Sequence, residues 1–228
     1  MTIDFNKVIR VPEKGLSQYG IGESDIANGY DLKSRIRHVL IPESVLKKRI
    51  TAMAVQISRD YRKSGRLYLV PILKGAFVFA ADLGREILRH GGPETRIDFY
   101  ETETYGAEIK KCDEGKRQVK ILRRPRIDSD SPIILIDDVA DTVQTLTVIL
   151  KDMSDQLKID QGRIRVCFLL DKFLNNPHRD IKELKKRIKP DYIGFEVPDV
   201  WVAGYGIDAG EDFRFLSCVV SVKEEFYF

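Results

Sequence analysis

Apolar positions along this chain fall into two alternating patterns, one of helical period and one of short unbroken runs. From Ser44 onward, Leu46, Ile50, Met53, Ala54, Ile57 and Tyr61 recur at the spacing of one helix face. Ser44, two residues after Pro42, is placed to cap that helix and Gly65 to close it. The run LYLVPIL (67–73) reads as a strand and Lys74-Gly75 as a turn. Ala76, Ala80, Leu83 and Ile87 form a second helical face, ended by Gly91-Gly92. Phe77, Val78 and Phe79 are consecutive, so that helix is apolar on more than one face. Across 96–105, Ile97 and Phe99 alternate with polar residues, which predicts an antiparallel strand. A loop over about 105–117 follows, with Gln118–Leu122 as the returning strand.

The later runs are IILI (133–136), RVCFLL (165–170), YIGFEV (192–197) and LSCVVSV (216–222). A wholly apolar run suits a parallel strand covered on both faces. The first is followed by Leu146, Ile149, Leu150 and Met153 at helical spacing. Strands alternating with helices predict an α/β fold, with a mainly parallel central sheet flanked by helices. Residues 1–37 carry neither pattern and are expected to wrap the main body. There is no internal repeat.

Composition narrows the class. The chain has 228 residues, 43% hydrophobic and 32% charged, which excludes a disordered polymer and suffices for one large domain. Cys112, Cys167 and Cys218 are odd in number and widely spaced. That excludes a disulfide framework and a CxxC metal knuckle, and it fits a reducing, cytoplasmic compartment. The opening MTIDFNKVIRVPEK carries acids and lacks the apolar centre of a secretion signal. No run approaches the roughly 20 residues of a membrane span. The formal charge is 38 − 35 = +3, too small to name a partner. Basic runs at Lys110–Arg126 and Arg179–Lys189 leave three readings open: solvated faces, a nucleic-acid footprint, or a surround for a polyanionic small molecule.

In open α/β sheets, ligands sit beyond the carboxyl ends of the strands. The segment IILIDDVADTVQTL (133–146) therefore carries the candidate chemistry. Asp137 and Asp138 end a buried strand, where paired carboxylates can hold ribose hydroxyls or a hydrated divalent cation. Asp141 adds a third acid. The amides of Asp141, Thr142, Val143, Gln144 and Thr145 open a helix and favour a phosphate, with Thr142 and Thr145 adding hydroxyls. No GxxxxGK[ST] phosphate loop occurs. The GxGxxA string at Gly204–Ala209 lacks a following helical repeat, so it does not read as a dinucleotide site.

The 133–146 segment resembles the phosphoribosyl-diphosphate motif of type I phosphoribosyltransferases. LKG (73–75) and Thr104-Tyr105 precede it, and LLDK (169–172), KPDYIGFEVPDVWVAGYGID (189–208) and DFR (212–214) follow it in order. Together they resemble the hypoxanthine-guanine phosphoribosyltransferases over about residues 38–222. The resemblance implies one phosphoribosyltransferase domain over 1–228, with a core of about 38–189 and a small hood built from 1–37 and about 190–228. It implies transfer from phosphoribosyl diphosphate to a 6-oxopurine with Mg²⁺, guanine first and hypoxanthine or xanthine possible, in a homodimer or tetramer, with neither nucleic acid nor membrane as partner.

The resemblance also implies roles. Asp137 and Asp138 would meet the ribose hydroxyls and a metal, and Asp141 would be the proton partner at purine N7. Residues 141–145 would hold the 5′-phosphate, Lys74, Gly75 and Arg214 the diphosphate, and Asp208 a second Mg²⁺. Lys172 would donate to the oxygen at purine C6, Trp201 would stack on the base, and Val202, Ile207 and Asp208 would line the rest of its edge. Thr104-Tyr105 would open a loop, about 101–117, that closes over the site. Two departures stand out. The family's Asp-Thr-Gly turn reads Asp141-Thr142-Val143, and Val resists the positive φ that Gly accepts. Ordinary helical dihedrals or an altered phosphate loop are therefore expected. Gly206, Ala209 and Gly210 replace larger residues, which predicts looser walls near the second metal. A non-catalytic nucleotide- or RNA-binding regulator of the same fold is the competing reading; Asp141, Lys172, Arg214 and the hydroxyl-Tyr pair weigh against it.

Overall fold

The structure, a computed structural model, describes residues 3–16, 32–105, 118–128, 130–175, 177 and 179–226. Its elements are β1 (Ile9–Arg10), α1 (Leu32–Arg35), β2 (Ile36–Ile41), α2 (Glu43–Asp60), β3 (Arg66–Leu73) and α3 (Phe77–Arg89). Then come β4 (Glu94–Ile97), β5 (Tyr100–Tyr105), β6 (Gln118–Arg123), β7 (Ile133–Ala140), α4 (Gln144–Asp155) and β8 (Ile164–Lys172). The chain finishes with α5 (Arg179–Arg187), β9 (Tyr192–Val197), β10 (Val202–Ala203) and β11 (Val219–Val222). The main sheet runs β1-β9-β8-β7-β3-β5-β6, with β4 also beside β3, and only β5 and β6 pair antiparallel. A small antiparallel sheet runs β10-β11-β2.

The apolar runs of β3, β7 and β8 are strands because each serves two cores at once. Ile134 and Ile136 of β7 pack with Leu67 and Leu69 of β3 and with Met53, Phe79 and Leu83 of α2 and α3. Ile133 and Leu135 face the other way, onto Tyr68, Val70, Leu146 and Ile149. Each of these side chains is at most 2% exposed, so each contributes about 1.5–3 kcal/mol of burial. Arg49 of α2 is also buried. Its Nε donates to Gly194 O at 3.0 Å, Nη1 to Phe5 O at 2.8 Å and Nη2 to Ile193 O at 2.6 Å, tying helix, N-terminal segment and β9 together.

Several expectations shift. Pro42, not Ser44, caps α2, and its carbonyl accepts from Val45 and Leu46 at 3.0 Å. The helix ends at Asp60, well before Gly65. The single antiparallel strand expected over 96–105 is two pieces. β4 and the start of β5 lie parallel to β3, and only the pairing with β6 is antiparallel. The break falls at Asp98-Phe99, where the Asp98 carboxylate accepts from Phe99 N, Arg126 N and Arg123 Nη2, each at 2.8 Å. The N-terminal segment is not wholly irregular, since β1 joins β9 and Leu16 N donates to Leu40 O at 2.8 Å. β9, grouped by sequence with the C-terminal segment, belongs to the main sheet, and β2 belongs to the small one.

Candidate active site

The carboxyl ends of β3, β7 and β8 are neighbours, and the candidate residues of three separate motifs meet there. Lys74-Gly75 follows β3, Asp137–Ala140 end β7 with Asp141 beyond, and Asp171-Lys172 end β8. Gly75 lies against the Asp138 carboxylate, which a methyl group at this position would displace. The Leu73–Lys74 peptide is cis.

Asp137 and Asp138 are half-buried, and each carboxylate accepts the next residue's amide at 3.0 Å. Desolvation first, then the adjoining Asp138 charge, pushes the Asp137 carboxyl well above the usual carboxylate range. Asp138 is pushed up by desolvation, with the Asp208 charge adding to it. Asp138 thus raises Asp137 by its charge and is itself raised by that of Asp208. The Lys172 ammonium lies 3.3 Å from Asp141 Oδ2, and its side chain is only 10% exposed, so Asp141 is the counter-charge of a nearly buried cation.

The small sheet supplies the facing wall. The turn at 204–208 rests on the loop after β3: Gly206 has φ +98°, and a methyl group there would strike the Gly75 carbonyl. Arg214 Nη2 lies 2.8 Å from Asp208 Oδ1, and Arg214 Nη1 donates to Gly206 O at 3.0 Å. Glu211 Oε2 lies 3.3 Å from Lys74 Nζ and 3.4 Å from Arg214 Nη2. The Lys74 hydrogen bond, with Arg214 adding, holds the Glu211 carboxyl below its ordinary range. The two cations expected on the diphosphate are therefore joined by one carboxylate.

Residues 43–209 match the family described as "Phosphoribosyl transferase domain". The hypoxanthine-guanine phosphoribosyltransferase of Dictyostelium discoideum is 32% identical over 193 residues, 84% of this chain and 98% of that protein. The chain belongs to the hypoxanthine-guanine phosphoribosyltransferase family. The hypoxanthine phosphoribosyltransferase of Escherichia coli is 33% identical over 189 residues, 81% of this chain and 94% of its own. A crystal structure of a hypoxanthine-guanine phosphoribosyltransferase from Bacillus anthracis aligns with TM-score 0.64 at 29% identity, over 82% of this chain and 99% of that one.

Within this member of the phosphoribosyltransferase family, α4 begins at Gln144 after Val143, with no side chain capping its first turn. Val143 has φ 53°, so a β-branched residue occupies the left-handed region, and of the two expected outcomes the ordinary helical dihedrals do not occur. Its buried side chain packs with Leu146 and Phe168. Thr142 and Thr145 are half-buried beside this turn. The looser wall expected at Gly206, Ala209 and Gly210 is found only at Gly210, which has open space. Gly206 is in close contact and Ala209 is 1% exposed in the small-sheet core. The Ile207 carbonyl, expected to read the base, already accepts from Gly204 N at 2.9 Å. Trp201 is half-buried against the small-sheet cluster, and Val202 pairs with Ser221. Thr104 and Tyr105 pair with Val119 and Gln118 on β6; the rest of the closing loop, 106–117, lies outside the described residues.

Sequence reasoning missed two residues. Glu211 was signalled only by its place three residues after Asp208 and three before Arg214. Lys185 lay inside the second basic run, and its partners are Ala140 O, Asp171 and Lys172 O.

Proposed function

We propose that the enzyme transfers the phosphoribosyl group from 5-phospho-α-D-ribose 1-diphosphate to N9 of a 6-oxopurine. Guanine is the first base, with hypoxanthine and xanthine following, and the products are GMP, IMP or XMP and diphosphate. The observation that carries this reading is the Lys172–Asp141 pair beside Asp137 and Asp138. Lys172 has donors and no acceptor, so it prefers the C6 carbonyl of guanine to the C6 amino group of adenine. Asp141 holds or accepts the proton at N7 as the new bond to N9 forms. Asp137 and Asp138 hold the ribose hydroxyls; the Asp141 amide already donates to Val139 O at 3.1 Å, so the amides of 142–145 with the Thr142 and Thr145 hydroxyls hold the 5′-phosphate. Lys74, Gly75 and Arg214 receive the diphosphate. Trp201, Val202, Ile207 and Asp208 border the base, and the second lone pair of the Ile207 carbonyl remains for the 2-amino group of guanine. Thr104-Tyr105 begin the segment that excludes water from the reacting ribose.

Mg²⁺ suits these donors. They are oxygen ligands under mutual repulsion, yet no cage of three ligating side chains forms among the described residues. That pattern fits an ion held by Asp137, Asp138 or Asp208 together with water and substrate oxygens. When bound, it would offset the charge of the departing diphosphate. The relatives' names carry hypoxanthine, and in one case guanine as well, which supports a 6-oxopurine as the base here. A cytoplasmic setting accords with Cys167 and Cys218, buried cysteines that form no disulfide among the described residues. A homo-oligomer accords with Phe77 standing half-exposed on α3 against the Phe99 ring. A single domain with a hood remains the proposed organisation. A regulator without catalysis would have no use for a cation–acid pair at the purine edge.

The test is product formation from phosphoribosyl diphosphate, Mg²⁺ and each base in turn. Turnover is expected with guanine first, then hypoxanthine, and none with adenine. Absence of nucleotide from guanine, hypoxanthine and xanthine alike would sink the reading.

A further inference from the structure

Helix α5, RDIKELKKR, is almost entirely charged, and Ile181 is its one fully buried residue among the described side chains. Leu184 and Ile188 pack partly on the core beneath β7 and β8. Residues 181, 184, 185 and 188 share one face of a helix, so Lys185 lies on the inward stripe. Its neighbours in the basic run behave otherwise: Lys182 is exposed and Lys186 pairs with Glu183 on its own helix at 2.9 Å.

An ammonium has three donors, and Lys185 uses all of them inside the protein. They reach Ala140 O at 2.9 Å, Asp171 Oδ1 at 2.9 Å and Lys172 O at 2.7 Å. Ala140 and Asp171 face each other in the β7–β8 register. Asp141 follows Ala140 directly, and Lys172 follows Asp171. The ammonium therefore clamps the two strands at the last residue pair before the proton partner and the base-reading cation, which meet at 3.3 Å. Bonds from a cation to a carboxylate and two carbonyls are the stronger kind, and a side chain only 22% exposed is little screened.

We propose that Lys185 is a positioning residue: it sets the separation of Asp141 and Lys172 and so governs use of the purine without touching it. The inference rests on the roles proposed above for those two residues. Lys74, Asp137, Asp138 and Arg214 are not among its partners, and the phosphate turn at 142–145 lies beyond the residues it binds, so phosphoribosyl diphosphate is affected far less than the base.

The experiment is steady-state kinetics of Lys185→Met, which keeps the apolar stem and removes every donor, varying guanine and phosphoribosyl diphosphate separately. Misplacing reacting groups by about 1 Å costs up to the order of 100-fold. A rise in guanine KM and a fall in kcat, each on the order of 10-fold, are expected, with the KM for phosphoribosyl diphosphate within about 2-fold. Lys185→Arg, which keeps charge and donors, should recover most of the lost kcat. If Lys185→Met does not fold, Lys185→Gln carries the same split at smaller size. A lowered Tm with unchanged guanine KM and kcat, or equal losses for both substrates, would overturn the proposal. Wild-type turnover in the same assay separates this failure from failure of the functional reading, since an active wild type with an indifferent variant sinks only the role of Lys185.

Discussion

Glu211 is an exposed carboxylate lying between Lys74 at 3.3 Å and Arg214 at 3.4 Å, the cations assigned to the diphosphate. An anionic substrate must displace it or share its partners. Exposed ion pairs are weak, so Glu211→Gln should lower the KM for phosphoribosyl diphosphate by about 2- to 5-fold. An unchanged or higher KM in initial-rate measurements would show that Glu211 does not compete. Val143 poses the opposite question, a strained residue that is kept. A β-branched residue in the left-handed region costs about 1–2 kcal/mol, while burial of the Val side chain returns about 1.5 kcal/mol and Gly would add about 0.5–1 kcal/mol of chain entropy. These terms nearly cancel. Val143→Gly should therefore lower the unfolding free energy by no more than about 1.5 kcal/mol in urea titrations, and a loss of about 3 kcal/mol or more would mean that packing dominates.

At the scale of elements, the turn at 204–208 and the loop after β3 are pressed together through Gly206 and Gly75. Tyr205 strengthens the junction by donating its hydroxyl to Asp82 of α3 at 2.6 Å, and burial pushes that hydroxyl's pKa up. Gly206→Ala should cost on the order of 1–3 kcal/mol in thermal unfolding and raise the KM for phosphoribosyl diphosphate, because the loop carrying Lys74 must give way. An unaltered Tm and KM would show the contact to be slack. The sequence expectation of a looser wall failed here because it counted side-chain volume and not backbone approach. The buried strands were legible, since an unbroken apolar run has few other uses. The parallel placement of β4 was not, because alternation at Ile97 and Phe99 reports exposure and says nothing of which strand lies alongside. Ser44 misled in a similar way: a hydroxyl near a helix start is a cap only when the preceding Pro42 has not already begun the turn.

Across the whole molecule, the near-neutral charge hides a division of labour. Two of the described cations of the first basic run are paired within the fold: Arg124 grips the buried Asp152 at 2.7 Å, and Arg123 reaches Asp98 at 2.8 Å. Lys185 of the second run faces inward. The cations left at the strand ends are those that face carboxylates of the site. Motif order revealed Asp137, Asp138, Asp141, Lys172 and Asp208 in the sequence because each sits beside a strand or turn with its own signature. Lys185 and Glu211 were hidden because their meaning comes from partners brought in by the fold. The central claim is that the site divides its work, with Asp141 serving proton transfer and its neighbours serving binding. Single-turnover rates and equilibrium binding of Asp141→Asn test it most directly. A fall of about 10²- to 10⁴-fold in the rate of nucleotide formation is expected, with phosphoribosyl diphosphate affinity nearly unchanged; a variant that turns over at the wild-type rate, or that loses rate only in step with binding, would rule out Asp141 as the proton partner.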